Sequence, residues 1–384
     1  LDRQFFVTGH SGWALSSIRP SRIGLHLPAA VALTVPPYIA FRMYKYSSIS
    51  SDVNRRSGQF GLSLNTFVTM TFISSFLLLA WTTGILVSSS SLDVSPSLQD
   101  ILNKAHQGPL YTYPTSLTQG IIPKGIHSHN DYWRDVPFYT ALSVGAISTE
   151  SDVWLYNGTL HVGHEEGALT AARTFESLYI NPILEVLKRQ NPANSTFLTS
   201  PTHNGVFDTD GGQTLYLFVD LKTDGPSTWA AVIKALEPLR SAGYLSKVNG
   251  TTFTSGAVTV IGTGNTPLNL VQPIINRDYF YDAPIPTLNS TFSNITSLVS
   301  PIASTDFAAN FGPVLGTSLN STQLELLRAQ VKTAHAKGIK LRYWDQPGWP
   351  ISTRDGIWRQ LRTEGVDLVN ADDVVAAAGF GDAW

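Results

Sequence analysis

Three carboxylates and a lysine form two pairs, Glu150-x-Asp152 and Asp220-x-Lys222, set in or just after the apolar runs AISTESDVW (146–154) and LYLFVDL (215–221). Strand residues two apart point to the same side. Each pair therefore shares a face, and three carboxylates converging from neighbouring strands make a hard oxygen site suited to Mg2+ or Ca2+. Histidines lie close by. The run IIPKGIH leads into His127-Ser128-His129-Asn130-Asp131, and a hairpin-like return after Asn157-Gly158 brings up His161 and His164. Two histidines from different strands can serve as base and acid. His161 and His164 are three apart, so an extended segment turns only one of them to the site, and His161 is expected to be structural.

A competing reading takes His127 and His129 as a His-x-His zinc pair. Such a site needs histidines on later strands, yet after His203 only His335 remains, in the helical segment KTAHAKG. Asp220 and Lys222 could also be a plain ion pair. A third reading is a barrel without turnover that binds lipid headgroups or a partner.

Such side chains need a frame that gathers strand ends. Strands are expected at 121–127, 146–154, 215–221, 257–262, 276–281, 302–308, 339–344 and 366–370, with helices at 137–144, 175–190, 227–241, 321–338 and 354–363. Eight strands alternating with helices over 116–384 have the size and rhythm of a (β/α)8 TIM barrel, where chemistry collects at the C-terminal strand ends. A doubly wound open sheet is the alternative.

Composition limits the function. The 384 residues contain no cysteine, which excludes a disulfide framework, a thiolate nucleophile and a cysteine metal site. The net charge of −2 argues against nucleic acid as a partner. Residues 1–60 carry seven Lys/Arg against Asp2 and Asp52, a balance of +5, so the remainder sums to −7. No charged residue occurs between Arg56 and Asp93, and Phe67 to Val87 is 21 mostly apolar residues, long enough as a helix to span a bilayer. The expected organisation is a basic N-terminus (1–64), a transmembrane anchor (65–90), a stalk (91–115) and the barrel (116–384). The positive-inside rule puts the N-terminus in the cytoplasm and the barrel in a lumen or outside the cell. Six Asn-x-Ser/Thr sequons, at Asn157, Asn194, Asn249, Asn289, Asn294 and Asn320, all follow the apolar stretch.

The arrangement His127…Glu150-x-Asp152…His164…Asp220-x-Lys222 is similar to the phospholipase C-like phosphodiesterase superfamily. That is a TIM barrel group including glycerophosphodiester phosphodiesterases and spider-toxin sphingomyelinase D. The wording HSHNDYWR, GAISTESDVWLYNGTLHVGHE and LYLFVDLKTD resembles the fungal altered inheritance of mitochondria protein 6 family, over about 121–374. The resemblance implies His127 and His164 as acid and base, Glu150, Asp152 and Asp220 as metal ligands, and Lys222 facing the phosphate. It implies Trp344 in the pocket wall, with His129 and Asn130 as substrate contacts. The implied activity is metal-dependent cleavage of a glycerophosphodiester, a (lyso)phospholipid or a sphingolipid. There are departures. Ser128 and His129 replace the Arg-Gly that follows the glycerophosphodiesterase histidine, Asp220 replaces a glutamate, and the spider enzymes' disulfide-held loop cannot form.

Overall fold

The computed structural model describes residues 115–380 except Asn194, together with Trp384 and five scattered residues between 96 and 113. They belong to one compact unit, Leu92–Trp384. The expected basic N-terminus and membrane anchor lie outside the described residues. Among the described residues no helix is long and apolar enough to cross a membrane.

Strand β1 (Lys124–Ser128) is followed by β2 (Ala146–Tyr156). At Asn157 and Gly158 φ is +50° and +79°, the left-handed pair that a two-residue hairpin turn requires. This turn returns β3 (Thr159–Val162) antiparallel along β2. Next comes β4 (Leu215–Leu221), then the short β5 (Lys247–Asn249) and β6 (Thr252–Thr254), and then β7 (Val258–Gly264). The short β8 (Asn276–Arg277), β9 (Phe280–Tyr281) and β10 (Ala283–Pro284) precede β11 (Ile302–Asp306), β12 (Lys340–Trp344) and β13 (Leu368–Ala371).

Nine of these strands run parallel in the order β10-β11-β12-β13-β1-β2-β4-β7-β9, a nearly closed barrel. β9 and β10 are two halves of one passage: the first half bonds to β7, the second to β11, and Asp282 sits at the break. The nine strands thus occupy eight positions, as the sequence rhythm predicts. The single strand expected at 276–281 is corrected by the structure. Asn276–Arg277 turns aside to join a small antiparallel sheet, β6-β5-β8, and only Phe280 onward enters the barrel.

The barrel strands are apolar on both sides because one face meets the barrel interior and the other the outer helices. Leu217, Val219 and Leu221 of β4 pack outward against the helix 225–235 and its neighbours. Tyr216 and Phe218 point inward and form a plug with Ile261, Phe280, Ile302 and Leu368. On the far side the helices 321–336 and 351–363 cover β11 and β12 through Leu327, Val331, Ile357 and Leu361. The first of these helices opens with a capping box between Asn320 and Gln323. This plug is a rigid base, and the site sits on top of it.

Candidate active site

At the C-terminal strand ends lies a cavity of about 480 Å3. Glu150 and Asp152 reach it from β2, and Asp220 reaches it from the adjacent β4, where Asp152 and Asp220 stand in register. One oxygen from each of the three carboxylates lies within 4.8 Å of the others, the one group of this kind among the described residues. Lys222 Nζ is 3.0 Å from both Asp152 Oδ2 and Asp220 Oδ2. Gly264, at the end of β7, makes room: a Cβ there would fall 2.0 Å from Asp220 Oδ1. Burial, followed by the charges of Glu150 and Asp220, pushes Asp152 up to about 7. Burial also raises Asp220, although Lys222 opposes the shift.

Glu150 behaves differently. Its burial works to raise its pKa, but the neighbouring His127, His129 and Arg342 outweigh that and hold it well below the usual carboxylate range. Arg342 comes from β12 and is buried at the floor of the cavity. Its NH1 lies 2.8 Å from His127 Nε2 and 3.2 Å from Asn370 Oδ1, its Nε donates to Ser304 Oγ at 2.9 Å, and it is 3.6 Å from both Glu150 and Asp282. The guanidinium stacks 4.6 Å from the Phe218 ring centroid. The all-oxygen donor set of Glu150, Asp152 and Asp220 fits one divalent cation of the Mg2+ or Ca2+ kind.

The two histidines at the end of β1 and just after it meet different fates. His127 is fully buried, with Nδ1 2.7 Å from Ser148 Oγ and Nε2 facing Arg342. Desolvation, then the charge of Arg342, lowers its pKa to about 3. It does not reach the cavity. His129 does, with Nδ1 2.9 Å from Asp372 Oδ1 and Nε2 3.7 Å from Glu150. Burial works against its protonation, but the hydrogen bond to Asp372 and the charges of Glu150 and Asp372 win and raise its pKa. The loop that follows β1 is locked from inside, as Ser128 Oγ and the Phe138 N–H both donate to Asp131 at 2.6 Å.

His164 lines the opposite side of the carboxylates, 53% exposed, with Nδ1 3.6 Å from Asp152 Oδ2 and 3.1 Å from the Tyr132 hydroxyl. His161 stays outside the cavity, its Nδ1 3.0 Å from the Thr170 carbonyl. Asn130 takes a left-handed turn (φ +48°) that aims its N–H at Glu150 Oε2, 3.1 Å away. Trp344, 37% exposed, forms the wall with the loop that follows it.

Of the residues singled out from sequence, His129, Asn130, Glu150, Asp152, His164, Asp220, Lys222 and Trp344 all line this cavity, and His127 alone lies beneath it. The zinc alternative does not survive the geometry, because His127 Nε2 faces a guanidinium where a metal ion would have to sit. Sequence reading missed Arg342, Tyr132, Asp282 and Asp372. Arg342 carried a signal: a charge in the strand KLRYW, two residues before Trp344 and on the same face.

Fold and site together define a phosphodiesterase-like α/β barrel, and residues 115–282 match the family profile described as AIM6-like phosphodiesterase domain. An altered inheritance of mitochondria protein 6 homolog from Arthroderma benhamiae is 54% identical over 297 residues, covering 75% of this chain and 93% of that protein. The protein of that name from Eremothecium gossypii is 36% identical over 270 residues, covering 66% and 69%. The one from Saccharomyces cerevisiae is 30% identical over 294 residues, covering 71% and 74%. The chain belongs to the altered inheritance of mitochondria protein 6 family. A solved structure, phosphatidylinositol-specific phospholipase C from Listeria monocytogenes, aligns over 70% of this chain and 94% of its own. Its identity is 9% and its TM-score 0.35, too low to carry an argument.

Proposed function

We propose that this chain is a phosphodiesterase acting on a glycerophosphodiester, (lyso)phospholipid or sphingolipid, with His129 and His164 as its acid/base pair. The observation that carries this reading is the carboxylate triangle open to one cavity and flanked on either side by a cavity-lining histidine. Glu150, Asp152 and Asp220 would hold a divalent cation, Mg2+ or Ca2+, which when bound offsets phosphate charge and favours the five-coordinate transition state. Lys222 adds a fixed positive charge beside it.

One histidine takes the proton from the attacking oxygen, which is water or a hydroxyl of the substrate. As the new P–O bond forms and the old one breaks, the other histidine protonates the departing oxygen. Each transfer contributes about 10² to 10⁴ in rate. This reading differs from the family resemblance at one position: His129 takes the place of His127, which is buried with its ring nitrogens at Ser148 and Arg342. Asp372 beside His129 supports the assignment, since a carboxylate on one ring nitrogen orients the other.

The proposal extends to location: a membrane anchor at 67–87, a cytoplasmic N-terminus and a luminal or extracellular barrel. Its support is the charge asymmetry and the sequons, whose five described asparagines are all exposed. Endoglycosidase treatment should lower the apparent mass, and an unchanged mass overturns the luminal placement.

Turnover of a phosphodiester panel by the full chain in detergent, followed by phosphorus NMR with and without EDTA, tests the activity. Metal-dependent product is expected, and the spectrum separates a cyclic phosphate from an open one. Equal rates in EDTA would sink the metal-assisted mechanism. Metal binding with no turnover on any member would instead favour a headgroup-binding barrel.

A further inference from the structure

One side chain buried behind the cavity wall joins three of the proposed functional residues. Tyr132 sits in the short helical turn after β1 and is buried. Its hydroxyl lies 2.7 Å from Asp152 Oδ2, 2.5 Å from Asn130 Oδ1 and 3.1 Å from His164 Nδ1. We infer that Tyr132 is a positioning residue for His164: its hydroxyl donates to Asp152 and accepts the Nδ1–H of His164, leaving Nε2 as the free nitrogen for proton transfer.

A phenol has one proton to give and two lone pairs with which to accept. Between a carboxylate at 2.7 Å and an imidazole nitrogen at 3.1 Å, the charged acceptor makes the stronger, shorter bond. The phenolic proton therefore goes to Asp152, and the oxygen is left to accept. Asp152 Oδ2 is itself 3.6 Å from His164 Nδ1, a second negative charge that favours a proton on that nitrogen. Asn130 presents Oδ1 to the phenol, because its Nδ2 is turned to His129 Nδ1 at 3.1 Å and Asp372 Oδ1 at 3.4 Å, so the phenolic proton has a second oxygen within reach and the imidazole nitrogen is still the one left to donate. On its other side the His164 ring is 5.2 Å from the Trp133 ring, centre to centre. An imidazole half open to solvent is thus held between an aromatic neighbour and a single hydroxyl. Without the hydroxyl, nothing else within bonding distance of Nδ1 selects the tautomer.

The catalytic consequence rests on the acid/base reading of His164 proposed above, whereas the tautomer does not. The full chain, labelled with ¹⁵N-histidine and kept in detergent with EDTA, gives ring nitrogen shifts that report which nitrogen holds the proton. His164→Asn identifies the signal by its loss. Wild type is expected to show neutral His164 as the Nδ1–H form, and Tyr132→Phe to move the population to Nε2–H. On a phosphodiester that the wild type turns over, Tyr132→Phe should lower kcat about 10- to 100-fold, part of the general acid/base contribution, with KM within about threefold. An Nε2–H form in the wild type, or the same tautomer in Tyr132→Phe, overturns the inference whatever the turnover. A tautomer change in a protein that cleaves no phosphodiester upholds the positioning and removes the phosphodiesterase reading instead.

Discussion

The floor and the mouth of the cavity both hold histidine beside a basic side chain, in opposite surroundings. On the floor, the side chains of His127, Arg342 and Asp282 are buried, with Arg342 facing both His127 and Asp282 and stacking on Phe218. At the mouth, His129, His164 and Lys222 keep part of their surface open. One residue separates His127 from His129, yet burial lowers the pKa of one to about 3 while carboxylates raise that of the other. A histidine's use is set by which neighbours reach it. Its place in a motif does not fix that.

If the floor supports and the mouth reacts, substitutions should divide accordingly. His129→Ala and His164→Ala are each expected to lower kcat by about 10² to 10⁴, whereas His127→Gln, which can still accept from Arg342, should stay within about tenfold of wild type. Steady-state kinetics on the responsive phosphodiester decide this. A His127→Gln loss as large as that of His129→Ala would return the acid/base role to His127.

Arg342 is the sharpest probe of the floor. Arg342→Met leaves Glu150 and Asp282 buried beside an uncharged side chain, and removing one partner of a buried ion pair costs about 3 to 5 kcal/mol. Urea unfolding should show it, and a loss under about 1 kcal/mol would mean that the floor network does not hold this end of the barrel. At the mouth, saturating Mg2+ or Ca2+ should raise the melting temperature, worth about 2.7 kcal/mol at one hundred times Kd. Asp152→Asn should abolish that rise. An undiminished rise would move the cation away from the carboxylate triangle.

Floor and mouth were not equally legible in the sequence. Glu150, Asp152, Asp220 and Lys222 stand out because charges inside apolar strands are costly unless used, and the period-2 rule places them on one face. The strands were legible for the same reason, apart from 276–281. There the barrel takes only a short passage broken at Asp282, and Asn276–Arg277 goes to a side sheet. What sequence could not show is which histidine is covered. That is decided by Phe218 on β4 and Arg342 on β12, brought over His127 from 91 and 215 residues away. Tyr132 likewise gave no signal, because its value lies in three partners that only the folded loop collects.

The smallest expected effect also gives the comparison opposite signs. His127 is neutral in the folded protein down to about pH 3, but in the unfolded chain it takes up a proton below about 6.5. Between those values the unfolded state binds more protons, so this residue makes the protein less stable as pH falls, by about 2 kcal/mol from pH 7 to pH 5. His129 has its pKa raised, so its contribution is fully present below about 6.5 and is lost as pH rises through the folded value. The buried carboxylates Asp152 and Asp282 titrate in the same range, at about 7 and about 6, so the total curve does not isolate either histidine. Differences do. Urea stability in EDTA, measured from pH 4 to pH 8, should fall less steeply toward acid in His127→Gln than in wild type. In His129→Gln it should fall more steeply. Parallel curves for the two variants would show that floor and mouth do not differ in the way their burial and neighbours require.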